Sequence, residues 1–500
     1  MTLPNDLPRP IYRVAGIRAI EARYLPDATP PLMERAGAAA AEVAKRLASG
    51  RPGPVLIAAG PGNNGGDGFV VGRMLREAGR EVLVVFAGAP GKLPPDAAAA
   101  YGAYMESGGR TVPAPPADAA EPALAVDALF GIGLQRPLAG PYAEWVAWLN
   151  RLRCPVLAID IPSGLDADTG RVLGSAVRAT HTATFIALKP GLLTLDGPDH
   201  CGEVLVHGLG LDAVAAAPPE GLTVGPALFA TVLKPRPRNS HKGMAGDAGI
   251  IGGAPGMVGA ALLAGRAALK LGAGRVFVGL LAGDALRVDP AFPELMFRDA
   301  RQVVDIASAM AVGPGLGSGQ PARELLAAAI ARPVPLVLDA DALNLVAEHP
   351  VLALHLARRE VPTLITPHPA EAARLLGSTT AEVQQDRIVS ARALAERFRC
   401  HAVLKGCGSL VAAPDGRWFV NATGNPGMAS AGMGDVLTGI AVALLAQHPD
   451  PLAALLAAVH LHGSAADALV AEGLGPIGLA AGELIDPARR LLNRWTAAER

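Results

Sequence analysis

The sequence predicts an α/β protein of two domains, and three observations carry that expectation. Short runs rich in Val, Ile and Leu alternate with longer Ala/Leu/Arg stretches through the first half: VLIAAG (55–60), EVLVVFAG (81–88), ALAVDALF (123–130) and PVLAID (155–160). The theme returns as DAGIIGGA (247–254), RVFVGLL (275–281), AMAVGPG (309–315), PLVLDAD (335–341), PTLITPH (362–368) and AVLKG (402–406). Unalternating apolar runs that stop at Gly or Asp suit strands of a parallel sheet, because helices cover both of its faces. Lastly, 500 residues exceed one ordinary core, and a 51% hydrophobic fraction supplies enough apolar material for two.

The division falls where DAVAAAPPEGLTVGPALFATVLKPRPRNSHKG is rich in Pro and Ala and lacks a long period. It is placed at about 225–235, within a connecting segment 216–239 between domains at 10–215 and 240–495. All five tyrosines lie at or before Tyr142, a composition shift that also favours two modules.

Bulk composition excludes several classes. A net charge of -1 gives no whole-chain attraction to nucleic acid or anionic lipid. No apolar run reaches about 18 residues without a charge, which argues against a membrane span. The start, MTLPNDLPRPIYRVAG, is cut by Pro and Asp and has no apolar signal core. Cys154, Cys201, Cys400 and Cys407 show no C-x-x-C spacing and read as reduced thiols of a cytoplasmic protein. His460-Leu-His462 lacks partners for zinc. Ala-rich helices suit packing between subunits as well as packing on their own sheets, so the homo-oligomeric state stays open.

Chemistry concentrates after the strand-like runs, where open α/β sheets bind ligands and helix N-termini attract anions. In the second half, NATGNPGMASAGMGD (421–435) offers backbone N–H groups to a phosphate and ends in Asp435 just before an apolar helical run. An Asp so placed suits a general base on a nearby hydroxyl, although an ordinary N-cap gives the same pattern. AVLKGCGSLVAAPDGRWFV (402–420) reads as a strand, a Lys-Gly turn and a hairpin around PDG. Lys405 there could reach nucleotide phosphates, and Gly406–Ser409 could supply donors. His368 lies in a Pro-flanked turn, TPHPAE.

In the first half, GPGNNGGDGFVVGR (60–73) follows VLIAA and reads as a loop that precedes a helix, as a phosphate-binding loop does, yet it fits neither G-x-G-x-x-G nor the Gly-Lys-Ser/Thr phosphate loop. Its Asn and Asp oxygens suit a hard cation as well as a ligand. VDALFGIGLQRPLAGPY (126–142) and IDIPSGLDADTG (159–170) place Asp127, Asp160 and Ser163 at two further strand ends. Each alone reads more readily as a turn cap than as a ligand.

Over about 240–495, HKG, GGAPGMVGA, VGPGLG, TPHPAE, KGCGS and NATGNPGM-x-S-x-GMGDVLTG resemble, in order, the ADP/ATP-dependent NAD(P)HX dehydratase family, a branch of the ribokinase-like superfamily. Ala431 stands where that family usually carries Gly. Over about 10–215, GPGNNGGDG, VDALFGIGLQRP, IDIPSGLDADTG and THTATFIALKPGLLT resemble the NAD(P)HX epimerase family. The resemblances imply an N-terminal Rossmann-like and a C-terminal ribokinase-like three-layer domain that together repair hydrated NADH and NADPH. The first would interconvert R and S epimers of the hydrate. The second would phosphorylate the ring hydroxyl of the S form, with ADP (or ATP) and Mg2+, and expel phosphate.

The resemblance also implies residue roles. Asn63, Asn64, Gly65, Gly66 and Asp67, with Gly131, Ile132, Gly133, Leu134, Gln135, Arg136 and Pro137, would bind the hydrated dinucleotide, joined by Tyr142. Asn64, Asp127 and Ser163 would bind K+, Asp160 would act as the epimerase acid/base at the substrate, and Lys189 would be structural or phosphate-facing. Ala260, Gly317 and His368 would line the dehydratase substrate site, with Asp435 as its base. Lys405, Gly406, Cys407, Gly408 and Ser409 would hold the nucleotide, and Gly432 and Gly434 an anion hole. Two other classes share features with this reading: a small-molecule kinase for a vitamin precursor or sugar, and a non-catalytic nucleotide sensor. The fused GNNGGDG segment argues against the first, and the intact aspartates against the second.

Overall fold

Val55, Ile57 and Ala59 enter one apolar cluster while Ala58 enters another, so this strand is buried on both faces. The computed structural model describes residues 7–116, 121–283 and 286–498, which divide into two units, Arg9–Gly221 and Leu222 onward.

The first unit's sheet contains β1 (Val55–Ala59), β2 (Val82–Val85), β3 (Thr111–Val112), β4 (Leu124–Ala128), β5 (Val156–Ile159), β6 (His181–Phe185) and β7 (Glu203–His207). Their order is β3-β2-β1-β4-β5-β6-β7, and every neighbouring pair is parallel. One face packs on helices Leu32–Ala48 and Asn63–Glu77, the other on Pro141–Leu149 through Trp145, Val146 and Leu149. This is the expected Rossmann-like three-layer arrangement, and the chain reverses direction across the sheet between β1 and β4. A crevice forms at such a switch point because the two following loops run to opposite sides.

The second unit's strands are β8 (Gly221–Thr223), β9 (Asp247–Gly252), β10 (Arg275–Leu280), β11 (Met296–Arg298), β12 (Ala309–Val312), β13 (Leu336–Leu338), β14 (Thr363–Ile365), β15 (His401–Leu404), β16 (Ser409–Ala412) and β17 (Trp418–Asn421). They run β8-β17-β16-β15-β14-β13-β12-β9-β10-β11, with β15, β16 and β17 antiparallel as the PDG hairpin predicts. The switch point here lies between β9 and β12. Ala248, Ile250, Ala309 and Ala311 face helices Val258–Lys270 and Met433–Gln447 in one core, whereas Ile251, Met310 and Val312 are buried on the other face.

The segment 216–239 is not the plain connection expected. Leu222 and Thr223 pair with Phe419 and Val420, and Phe229, Val232 and Leu233 are buried in the second unit's core. Its Pro and Ala content hid three apolar anchors. Helix Pro451–Ala471 is long and apolar enough to cross a membrane, yet 72% of its apolar window is buried inside the protein. None of the four cysteines forms a disulfide.

Candidate active sites

The cavity at the first switch point has a volume of about 550 Å³. Asn63, Asn64 and Asp67 line one side, Gly131–Leu134 another, and Asp160 and Lys189 the base. Helix Asn63–Glu77 begins inside the glycine-rich motif, so GNNGGDG is a first helical turn and not the expected loop. The reason is close packing: a Cβ on Gly65 would lie 2.0 Å from the Gly60 carbonyl oxygen, and one on Gly66 would meet Met33. Gly65 and Gly66 are therefore buried packing positions outside the cavity wall.

Asp160 follows β5 with a positive φ of 67°, a conformation Asp tolerates better than most residues but which still costs energy. The turn aims its carboxylate at the cavity, where Oδ1 meets the Lys189 Nζ at 2.7 Å and Oδ2 accepts from Ile132 N at 3.2 Å. Lys189 is fully buried and also donates to Thr184 Oγ1 and the Phe185 carbonyl, each at 2.8 Å. Glu21 and Arg18, which the sequence did not single out, line the same cavity from helix Val14–Tyr24. Burial, then the charges of Asp160 and Glu21, hold the Asp67 carboxyl well above the usual range, and burial and Asp160 raise Glu21. Three carboxyls around one ammonium thus favour retention of a proton in this pocket.

Beside it, Asp127 is fully buried at the end of β4. Ser163 Oγ donates to its Oδ1 at 2.6 Å and Ser163 N to its Oδ2 at 2.8 Å. Burial outweighs these bonds and pushes the carboxyl up to about 6. Asn64 has a buried side-chain nitrogen with no hydrogen-bond partner among the described residues, and the orientation of its amide is an assignment that a ligand could reverse. A buried anion, an orphaned amide and a hydroxyl fit a weakly hydrated cation held by oxygen donors. Gln135, Arg136 and Pro137 are exposed outside the cavity wall. Tyr142 is also outside it, edge-on to Phe130 at 5.0 Å and to Trp145 at 5.6 Å.

In the second unit the expected residues converge on Lys405, which follows β15. Its Nζ lies 2.7 Å from Asp339 Oδ1 and 3.9 Å from Glu371 Oε2. A Cβ on Gly434 would sit 3.3 Å from both Lys405 Nζ and Asp339 Oδ2, which places the start of helix Met433–Gln447 directly against this pair. Gly432 takes φ 89° at the N-cap, a left-handed turn that suits glycine and exposes the helix's first N–H groups. Asp435, in that first turn, is pushed up to about 6 by burial first and then by the charge of Asp339, against the pull of Lys405.

The remaining loops close on the same point. Gly317 N donates to Asp341 Oδ2 at 2.8 Å, and positions for a Cβ on Gly315 fall near Ala260 and Met257. His368 caps helix Pro369–Leu376, accepting from Ala370 N, while Glu371 accepts from His368 N at 2.7 Å. Burial and then the neighbouring Lys405 lower the His368 pKa and so favour the neutral imidazole. Ser409 Oγ donates to the Gly406 carbonyl at 3.0 Å and so tightens the Lys405–Ser409 turn, on which Cys407 is exposed. Asp339, Glu371 and Thr438 are the residues the sequence reading passed over; the first acid of PLVLDAD, directly after the strand, was the available signal for Asp339.

A chain with a carboxylate-lined site at the strand ends of each of two α/β units is a two-centre α/β enzyme. The family described as NAD(P)H-hydrate dehydratase matches residues 248–487, and that described as YjeF-related protein N-terminus matches residues 30–191. The chain is 39% identical over 500 residues to the bifunctional NAD(P)H-hydrate repair enzyme Nnr of Escherichia coli (strain K12), covering 98% of this chain and 95% of that one. It is 40% identical over 448 residues to the enzyme of the same name from Coxiella burnetii, covering 88% and 90%. A crystal structure of ADP/ATP-dependent NAD(P)H-hydrate dehydratase from Bacillus subtilis, co-crystallized with ATP/Mg2+, matches with TM-score 0.47 and 32% identity, over 53% of this chain and 97% of that one. The chain belongs to the bifunctional NAD(P)H-hydrate repair enzyme family.

Proposed function

We propose that the first unit, over about 10–215, converts R-NAD(P)HX to the S epimer, and that the second, over about 240–495, dehydrates S-NAD(P)HX with ADP as the phosphoryl donor. Membership of the family makes the chain an NAD(P)H-hydrate epimerase and dehydratase. The assignment of steps to residues rests above all on Asp435, a carboxyl pushed up to about 6 at a helix N-terminus that abuts Lys405.

In the dehydratase, Asp435 takes the proton of the ring hydroxyl as its oxygen attacks the terminal phosphorus of the nucleotide, which arrives with Mg2+. The bond from that phosphorus to the bridging oxygen breaks, and the shortened nucleotide leaves. Phosphate is a better leaving group than hydroxide, so the carbon–oxygen bond then breaks, a neighbouring ring carbon loses a proton, and the double bond of the dihydropyridine returns. Lys405 and the N–H groups of Gly406–Ser409 and Gly434 hold the phosphates, while Ala260, Gly317 and His368 face the hydrated dinucleotide.

In the epimerase, Asn63, Asn64, Asp67, Gly131–Leu134 and Asp160 surround the substrate. Asp160, as the acid/base, gives a proton to the carbinol oxygen as the carbon–oxygen bond breaks and water leaves the nitrogen-stabilised ring cation, then takes a proton back as water adds to the opposite face. Gly65 and Gly66 support the wall from behind, and Gln135–Pro137 and Tyr142 serve at most as an outer rim. Asn64, Asp127 and Ser163 would hold K+, whose charge offsets the buried Asp127 carboxylate. A cytoplasmic setting agrees with four cysteines that form no disulfide.

The decisive experiment incubates mixed hydrate epimers with the protein, with ADP, ATP or neither, and with or without potassium. Recovery of nicotinamide absorbance is expected only with nucleotide. Potassium is expected to speed conversion of the R epimer and leave the S epimer unaffected. Recovery without any nucleotide would overturn the dehydratase mechanism. The relatives named above are bifunctional repair enzymes, which supports this reading over that of a vitamin-precursor kinase.

A further inference from the structure

Lys405, at the end of β15, and Thr438, in the second turn of helix Met433–Gln447, both bond to one side chain at the end of β13. Asp339 is 1% exposed and Thr438 fully buried. The carboxylate divides its oxygens: Oδ1 takes Lys405 Nζ at 2.7 Å, and Oδ2 takes the Thr438 hydroxyl at 2.9 Å. We infer that Asp339 is a positioning residue of the dehydratase centre, clamping the nucleotide-turn lysine to the helix that carries Asp435. The inference rests on the roles proposed above for Lys405 and Asp435.

Two features point to aiming and not to mere stability. Ala340, directly after Asp339, holds φ 50°, a strained value for a residue with a Cβ. That turn sends Asp339 toward Lys405 and Asp341 toward Gly317 N, so a single bend faces both the nucleotide turn and the substrate loop. Secondly, Gly434 lies between clamp and base, where any side chain would press on both charged groups.

The charges agree with the geometry. Burial alone would raise Asp339, but the Lys405 charge and the bonds from Lys405, Thr366 and Thr438 outweigh it and hold the carboxyl ionised. Burial opposes the Lys405 charge, yet Asp339, Glu371 and Asp435 outweigh it and hold its pKa above the usual lysine value. Asp435 is faced by Asp339, Asp341 and Lys405. Glu371 and His368, on helix Pro369–Leu376, and His462, on helix Pro451–Ala471, face Lys405 in turn. Replacing Asp339 with a neutral group removes a negative neighbour of Asp435 and frees the Lys405 charge. Both changes lower the pKa of Asp435.

The test uses Asp339→Asn and Thr438→Val in the full chain. It measures kcat and KM for S-hydrate and ADP, the pH profile, and the Asp435 carboxyl titration by carbon-13 NMR. Asp339→Asn is expected to lower kcat by roughly tenfold or more, as displaced catalytic groups do, and to move the acid limb and the NMR titration to lower pH. Thr438→Val keeps the charge and cuts only the helix tie, so kcat falls while the limb stays. Reduced thermal stability with kcat and limb both at wild-type values would mark Asp339 as structural and overturn the inference. If Asp339→Asn does not fold, Thr438→Val decides: lower kcat supports the clamp, and unchanged kcat overturns it. Should the wild type prove independent of nucleotide, the functional reading fails separately. The NMR titration then still judges Asp339, with a downward shift in Asp339→Asn in favour and none against.

Discussion

Asp435 and Asp160 are both aspartates at strand or helix ends, and their neighbours set them apart. Asp160 bonds directly to a buried ammonium, whereas Asp435 faces two carboxylates and a lysine already engaged by Asp339. A base is useful when its pKa lies near the working pH, and burial with Asp339 brings Asp435 up to about 6. Only the ionised form can accept the hydroxyl proton. Dehydration of S-hydrate should therefore fall as pH drops through about 6 and level off above it. Asp435→Asn should cost about 10²–10⁴-fold in kcat, the usual worth of a general base, with little change in ADP affinity because Lys405 and its turn remain. Steady-state rates between pH 5 and 8, together with calorimetric ADP titrations, check both statements; a wild-type rate in Asp435→Asn would remove its role as base.

At the scale of elements, the sequence was most informative where physics is local. Every apolar run read as a strand is one, because two covered faces demand continuous Val, Ile and Leu. The start of helix Asn63–Glu77 was misread because glycine is a poor helix former, so its density suggested a loop. What decides the matter lies outside the helix: the Gly60 carbonyl, just before it, and the distant Met33 and Ala97 press on this turn and leave no room for side chains. Asp339 was missed for a similar reason, its partners Lys405 and Thr438 lying 66 and 99 residues away. Gly65→Ala tests the packing account. Backbone cannot yield as a flexible side chain would, so overpacking should destabilise the first unit by about 1–3 kcal/mol. Calorimetry should show an earlier unfolding transition, accompanied by slower R-epimer conversion; an unchanged transition would mean that the helix start tolerates a Cβ.

At the scale of the whole molecule, one chain carries two sites with different demands. The first unit's cavity gathers Asp160, Asp67 and Glu21 with Lys189, the set proposed to move protons; the second gathers Lys405 and helix N–H groups beside Asp435, the set proposed to hold phosphate. Family patterns made both sites legible in outline, whereas the ion pairs that tune them depend on folded proximity. Because each unit has its own sheet, core and carboxylates, the two activities should be separable by single substitutions. With mixed epimers and ADP, the wild type should consume both forms. Asp160→Ala should consume the S form at the wild-type rate and leave the R form behind, while Asp435→Ala should yield no dihydropyridine yet still bring pure R-hydrate to an epimer mixture. Chromatography of the two epimers over time distinguishes these patterns. Prompt loss of the R form in Asp160→Ala would take the epimerase chemistry away from that carboxylate and leave Asp67 and Glu21, the two carboxyls of raised pKa in the same cavity, as the groups to substitute next.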